Sequence, residues 1–347
     1  MEYHKLYSGI SSWVTDYVTS GVNKDKKVSY MTAHIYASIN PVYGLNNYAY
    51  QYLTFIPSSS GRFSFSTAGM QYSVDMGNTW VTLGANEATP TVEAEKPIWW
   101  RMSGVTPSLS NGIGTFSSST NFNIEGNVSS VVWGGAMYDT PYYNVVIPKE
   151  HYPDYSTTNN VFRKLFAGSK VVDASKLVLG PYHLTLTVDN VTSEIQGAYY
   201  EMFSGCTALT TPPKSISVYK FTSETCYKMF AGCTSLKHVV PSVSGDSAAS
   251  NVFYGMYSGC TALEEATMPP YTPSSNSHSY VFAGCSNLSR VYANWKSKPA
   301  ASTTTYWAQG VNTTGVIILP TGTTWVERSS SYMPVGWKSI DTDGNEL

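Results

Sequence analysis

Charge is what this chain has least of. Asp, Glu, Lys and Arg make up 13% of its 347 residues, about half of the roughly 25% usual in soluble domains. The formal net charge is −2 and no stripe gathers Lys and Arg, which argues against nucleic acid as a partner because phosphate binding needs clustered cations. The run Lys24 to Lys27 reads as a solvated loop. No segment approaches the roughly eighteen consecutive apolar residues of a membrane span, so no membrane insertion is expected. The N-terminal stretch lacks a basic start followed by an apolar core, and no secretion signal is read there. The five cysteines form no Cys-x-x-Cys and the six histidines are scattered, so neither a metal nor another cofactor is expected. Gly-x-Ser-x-Gly, a phosphate loop and His-Glu-x-x-His are absent from the sequence. The close acidic pairs Glu264 with Glu265 and Asp341 with Asp343 read as solvated, which leaves no catalytic residue to name and a non-enzymatic chain as the expectation.

What the chain does have is a phrase that returns four times. It reads MFSGCTAL at Met202 to Leu209, MFAGCTSL at Met229 to Leu236, MYSGCTAL at Met256 to Leu263 and VFAGCSNL at Val281 to Leu288, with the Gly-Cys pair recurring after 27, 27 and 25 residues. A period in that range is the signature of a solenoid. Tyr200 with Phe203, Tyr227 with Phe230 and Tyr254 with Tyr257 are spaced to share one inward face of a short helix. Gly205, Gly232, Gly259 and Gly284 are the expected left-handed stops. Leu209, Leu236, Leu263 and Leu288 then open Val- and Pro-rich extended stretches that predict one strand per unit, stacked into a parallel sheet. Stacking also lines up Cys206, Cys233, Cys260 and Cys285 about 4.8 Å apart. They are read as reduced, buried thiols, with bridging of adjacent pairs as the alternative.

The Phe-x-Gly-Cys-Thr-x-Leu phrase resembles the leucine-rich repeat (BspA-like) of surface proteins of gut Bacteroidales and of virion proteins of their tailed phages, crAss-like phages among them. The resemblance covers roughly residues 160 to 295. Val161 to Val172 looks like a degraded first copy with Ser169 in the cysteine position. Residues from Trp295 to Trp337 depart from the phrase and are read as a C-terminal cap that continues the sheet.

Before the repeats, short alternating segments are punctuated by Gly, Pro and Ser. They are Tyr52 to Ile56, Arg62 to Ser66, Gln71 to Val74, Trp80 to Leu83, Ile98 to Met102, Asn121 to Ile124 and Val128 to Trp133, the pattern of a β-sandwich. Ser73-Val-Asp75-Met-Gly77-Asn-Thr79-Trp80 is similar to the Asp-box of sialidases, where those residues are structural: the aspartate closes a hairpin turn, the glycine permits it and the tryptophan packs on it. At the N-terminus Tyr3, Leu6, Tyr7, Ile10, Trp13, Val14, Tyr17 and Val18 recur at helical spacing. That stripe packs on its own sandwich, docks the chain onto a virion or bundles with copies of itself.

The expected fold class is mainly β with short helices, an N-terminal β-sandwich followed by a leucine-rich-repeat solenoid. The divisions are an anchor or oligomerisation segment at 1–48, the sandwich at 49–136, the solenoid at 137–295 and the cap at 296–347. The resemblance implies a phage virion structural protein, a head or tail fibre or decoration subunit. It would contact other virion proteins through its N-terminal region and a host-surface glycan or protein through its repeats, as a homo-oligomer and by analogy a trimer. A bacterial cell-surface adhesin is the alternative. No contact residues are assigned, and the segments Val218 to Phe221 and Ser242 to Asn251 are where binding is sought.

Overall fold

The structure is a computed structural model that describes residues 52–102, 112–128, 130–133 and 160–347, apart from 180, 183–184, 189–190, 195–196, 240–241, 247–248, 270–274 and 330. The apolar stripe from Tyr3 to Val18 lies outside the described residues.

Seven strands precede the repeats: β1 (Leu53–Pro57), β2 (Phe63–Phe65), β3 (Met70–Ser73), β4 (Val81–Thr82), β5 (Ile98–Met102), β6 (Phe116–Ser118) and β7 (Phe122–Asn127). With β8 (Val171–Val178) they form a six-stranded sheet of order β4-β3-β5-β1-β7-β8, while β2 and β6 pair as a two-stranded sheet. Alternating Phe and Trp side chains explain why: Phe55, Trp100 and Phe122 of the larger sheet meet Phe63 and Phe116 of the smaller one at centroid distances of 4.8 to 6.3 Å. The expected strand at Val128 to Trp133 is instead a single helical turn, α1 (Ser130–Trp133). The buried Ser130 hydroxyl accepts from the Leu53 amide at 2.8 Å and donates to the Trp100 carbonyl at 3.0 Å. A side chain thus ends the ladder where a further strand was expected.

β7 belongs to two structures at once. It pairs antiparallel with β1 and parallel with β8. Just before it, the Ile113 and Phe116 amides donate to the Val161 and Leu165 carbonyls at 3.2 and 2.8 Å. The Phe116 ring stacks on Phe166 at 5.8 Å and 14°. Residues 112–127 therefore act as the coil that closes one end of the solenoid.

Within the solenoid the segment before each glycine is not a helix. Its amides alternate between two jobs. Tyr200, Met202, Ser204 and Cys206 donate three residues back along the chain, whereas Tyr199, Glu201, Phe203 and Gly205 donate to Thr225, Tyr227, Met229 and Ala231 of the next coil. The following coils repeat the scheme, so each backbone donor is satisfied either in its own turn or by its neighbour. Every fourth residue is left-handed: Gly197, Glu201 and Gly205 have φ of 61°, 51° and 73°, and Glu224, Lys228 and Gly232 follow at 63°, 48° and 74°. The resulting period is four residues, two in and two out. Met202 and Phe203, Met229 and Phe230, and Met256 and Tyr257 are buried, while Tyr200, Tyr227 and Tyr254 are half-exposed. The expectation that each tyrosine shares an inward face with the aromatic residue three positions on is thereby corrected, because a helix turns 100° per residue and this backbone reverses on a four-residue cycle.

The glycine row extends beyond the four phrases. A Cβ placed on Gly205, Gly232, Gly259, Gly284 or Gly310 would lie 3.5 to 3.8 Å from the backbone of the preceding glycine in the series, beginning with Gly168. Beside it, Phe166, Phe203, Phe230, Tyr257 and Phe282 stack at 5.1 to 5.7 Å. Trp307 closes this column edge-on at 6.1 Å. After the leucines, β13 (His238–Val239), β15 (Glu265–Thr267), β16 (Arg290–Tyr292), β17 (Gly315–Leu319) and β18 (Trp337–Asp341) form a parallel sheet in chain order. A second parallel sheet contains β9 (Pro181–Tyr182), β12 (Ser215–Lys220) and β14 (Ser242–Asp246). An antiparallel hairpin, β10 (Thr185–Val188) with β11 (Val191–Glu194), is inserted between the first two coils. The described chain is thus mainly β with almost no helix, a β-sheet region followed by a β-solenoid.

Candidate binding surface

The outer residues of the four-residue cycle build a continuous aromatic row. Tyr200, Tyr227 and Tyr254 stack nearly parallel at 4.6 and 5.1 Å, and Tyr280 and Tyr306 continue the row at 5.3 and 5.6 Å with tilts of 45° and 43°. The tilt between Tyr254 and Tyr280 coincides with a shift in position along the cycle. Tyr280 and Tyr306 sit one position later in the cycle, on the left-handed residue itself, with φ of 57° and 52°. The Arg163 guanidinium covers the first ring at 4.5 Å. Burial, followed by the Glu201 charge, pushes the Tyr200 phenol up to about 12. The row thus offers a line of aromatic faces and, at Tyr306, a residue that is 41% exposed.

The cysteine column faces inward and is inert. All five cysteines are free and buried. Cys206, Cys233, Cys260 and Cys285 each donate Sγ–H to a carbonyl one coil back, those of Phe166, Phe203, Phe230 and Tyr257, at 2.9 to 3.2 Å. Burial pushes the Cys206 thiol up to about 12 and raises Cys226, Cys233 and Cys285 as well. Since all five thiols are buried and out of reach of solvent, and reaction needs an accessible thiolate, no cysteine of the native protein should react with an aromatic disulfide reagent within minutes. All five should react in denaturant. Rapid labelling of even one in the native state would contradict the column.

The acidic pairs are structural. Glu264 lies 3.9 Å from Lys237, and Glu265 lies 3.7 Å from Arg290, across neighbouring coils; exposed pairs of this kind contribute about 0.2 to 1 kcal/mol. Asp341 is buried rather than solvated, and its Oδ1 accepts from the Asp343 and Asn345 amides at 2.9 and 2.8 Å. Asp75 closes the β3–β4 turn as its motif implies, accepting from the Thr79 amide and hydroxyl at 2.9 and 2.7 Å and from the Ser73 hydroxyl at 2.7 Å. Burial raises its carboxyl, but these bonds outweigh that and hold it below the usual range. Gly77, with φ of 85°, sets its Cα against the Trp99 and Trp80 rings, and the Arg101 guanidinium covers Trp80 at 4.1 Å. Among the described residues, no three His, Cys, Asp or Glu side chains lie together to hold a metal ion.

His278 belongs to none of the motifs in the sequence. It is fully buried in the inner row that holds Tyr199, Cys226 and Phe253 in earlier coils. The Ser277 hydroxyl lies 2.9 Å from Nδ1 and the Pro269 carbonyl 3.3 Å from Nε2. These partners fix a neutral ring with the proton on Nε2. Burial, opposed by the Pro269 bond, lowers its pKa to about 4. The signal available in the sequence was its place, two residues before Tyr280 in the four-residue cycle.

Of the two segments singled out for binding, Val218 to Phe221 runs out of β12 into the core, where Phe221 is buried and not available to a ligand. Ser242 to Asp246 is β14, at one edge of the three-stranded sheet. No protein-family model, no curated protein and no solved structure matches the chain.

Proposed function

We propose that the chain is a non-enzymatic virion structural protein of a tailed phage, a fibre or decoration subunit that presents its repeats to the host surface. The observation that carries this reading is the continuity of the described body: β7 lies in both the sheet region and the stack, so the aromatic row has a fixed direction relative to the N-terminal side. A chain that attaches at one end and recognises at the other needs that property. The ring cluster around Phe55 supports taking the two N-terminal sheets as a sandwich, and the repeat phrase supports the leucine-rich-repeat assignment of the solenoid. The N-terminal segment is assigned to contacts with other virion proteins, as a homo-oligomer, and the partly exposed tyrosines to a host glycan or protein, since tyrosine gives large contact area at low entropic cost.

Mass spectrometry of purified virions and of host membrane fractions tests the reading. Stoichiometric recovery of peptides from Tyr3 to Lys24 in virions is the expected result. Recovery only in membranes of uninfected cells would replace it with the bacterial surface adhesin.

A further inference from the structure

The coil-to-coil bonds of the turn segment all point the same way. Phe203 donates to Met229, the adjacent Phe230 amide donates to Met256, Tyr257 donates to Val281, and Phe282 donates to Trp307. Because the carbonyl of one residue and the amide of the next belong to one peptide group, these bonds link peptide dipoles head to tail along the stack. Parallel columns run through Tyr280 to Thr305 and through Gly284 to Gln309. Aligned dipoles polarise one another and leave partial positive charge on the terminal N–H groups.

The columns end at Tyr306, Ala308 and Gly310. Their amides occupy the positions from which Tyr280, Phe282 and Gly284 donate onward, and among the described residues none has a hydrogen-bond acceptor. Among the described residues, Tyr306 is also the last ring of the outer row, and no further described tyrosine covers its far face. Only the inner half of this end is closed. Trp307 donates its indole N–H to the Tyr332 carbonyl at 2.8 Å, Trp337 meets Trp307 edge-on at 6.3 Å, and Met333 is fully buried.

We propose that the outer half of this distal coil takes a polypeptide segment of a partner molecule, which supplies three backbone carbonyls to Tyr306, Ala308 and Gly310 and an aromatic side chain to the Tyr306 ring. The surface continues the interface that holds every coil to the next, which specifies its occupant: a row of acceptors with a ring at one end. A single carboxylate does not span donors spread over residues 306 to 310. A second copy does not supply the acceptors either. Tip to tip, donors would face donors, and at the opposite end the Val161 and Leu165 carbonyls already take the Ile113 and Phe116 amides. The partner segment needs small residues where Tyr332 and Met333 fill the space, and glycine or asparagine where the four-residue cycle demands a left-handed backbone. The inference does not depend on the virion assignment.

The test has two parts on the full chain. Hydrogen exchange should show Tyr306, Ala308 and Gly310 unprotected while Tyr280, Phe282 and Gly284 are protected at least a hundredfold; protection of the distal three in the protein alone would overturn the proposal. The probe is then a peptide of residues 279–284 with Val281→Gly and Phe282→Gly. At millimolar concentration it should shift the amide resonances of Tyr306, Ala308 and Gly310, and the effect should fall at least fivefold in Tyr306→Ala or with Tyr280→Ala in the peptide. Absence of a shift, or a shift that survives both substitutions, would sink the idea. Neither outcome bears on where the protein is found, so the virion reading stands or falls separately.

Discussion

Phe230→Ala should destabilise the protein by about 3 to 5 kcal/mol, the range for removing a fully buried phenylalanine. The ring lies between Phe203 at 5.4 Å and Tyr257 at 5.5 Å, within 9° of parallel to both. The upper part of that range is expected because the gap has no way to close. On both sides the backbones are held at a fixed separation, by Phe203 donating to Met229 and Phe230 to Met256, each at 2.8 Å. The Phe230 carbonyl is further engaged by Cys260 Sγ at 3.1 Å. Tyr227→Ala, three residues earlier, should cost less, about 1 to 3 kcal/mol, the worth of its two aromatic pairs with Tyr200 and Tyr254, because its ring is only half-buried. Urea denaturation of both variants separates the four-residue cycle from a helix, in which the two side chains would share one buried face and cost similar amounts.

The second large effect is a loss of stability in acid. His278 holds its proton less tightly in the folded state, with a pKa of about 4 against 6.5 when unfolded. Between those values the unfolded chain binds the extra proton and the folded chain does not. The neutral ring's contribution is therefore whole above pH 6.5, falls as pH drops and is gone below pH 4. Lowering the pKa from 6.5 to about 4 on folding corresponds to roughly 3 kcal/mol. Around the ring stand Phe253 at 5.5 Å, Trp295 at 6.5 Å, Ser277, the Pro269 carbonyl and, one coil on, Thr304, with no charged group among these described neighbours. Protonation also removes the acceptor that Ser277 uses. His278→Phe, which copies the Phe253 position of the preceding coil, should flatten the dependence of the melting temperature on pH between 6.5 and 4, whatever its effect at neutral pH. An unchanged slope would show that another group governs acid unfolding.

Much of the architecture was legible because the chain repeats its punctuation. The Gly-Cys pairs marked the coils, and the leucines announced the strands β13, β15 and β16 that follow them. The short aromatic segments before residue 128 located six of the seven N-terminal strands to within a few positions, while β6 (Phe116–Ser118) carried no such signal. What escaped were features that depend on partners far away in sequence. Ser130 turns the chain because the Leu53 amide and Trp100 carbonyl lie beside it, 77 and 30 residues distant. Residues 112–127 join the stack without carrying its phrase, since backbone atoms suffice for the bonds they make. The turn segment itself was misread because an aromatic spacing of three fits both a helix and this cycle. The pairs Met-Phe, Thr-Cys and Val-Phe recurring every fourth residue are the signal that distinguishes them; on that cycle Tyr227 falls outside, the reverse of what the helical spacing implied, and Phe221 inside.

The shared strand β7 has a mechanical consequence. A pull entering at β1 and resisted by the solenoid passes through β7, whose bonds to β1 over Thr54–Pro57 and to β8 over Val171–Val178 lie side by side across the line of force, and is shared by the Ile113 and Phe116 amides held on Val161 and Leu165. Ladders loaded in that way yield only when several bonds break together, whereas a hairpin pulled from its open end unzips one bond at a time. Tension transmitted along β1 would thus meet cooperative resistance where the sheet joins the stack.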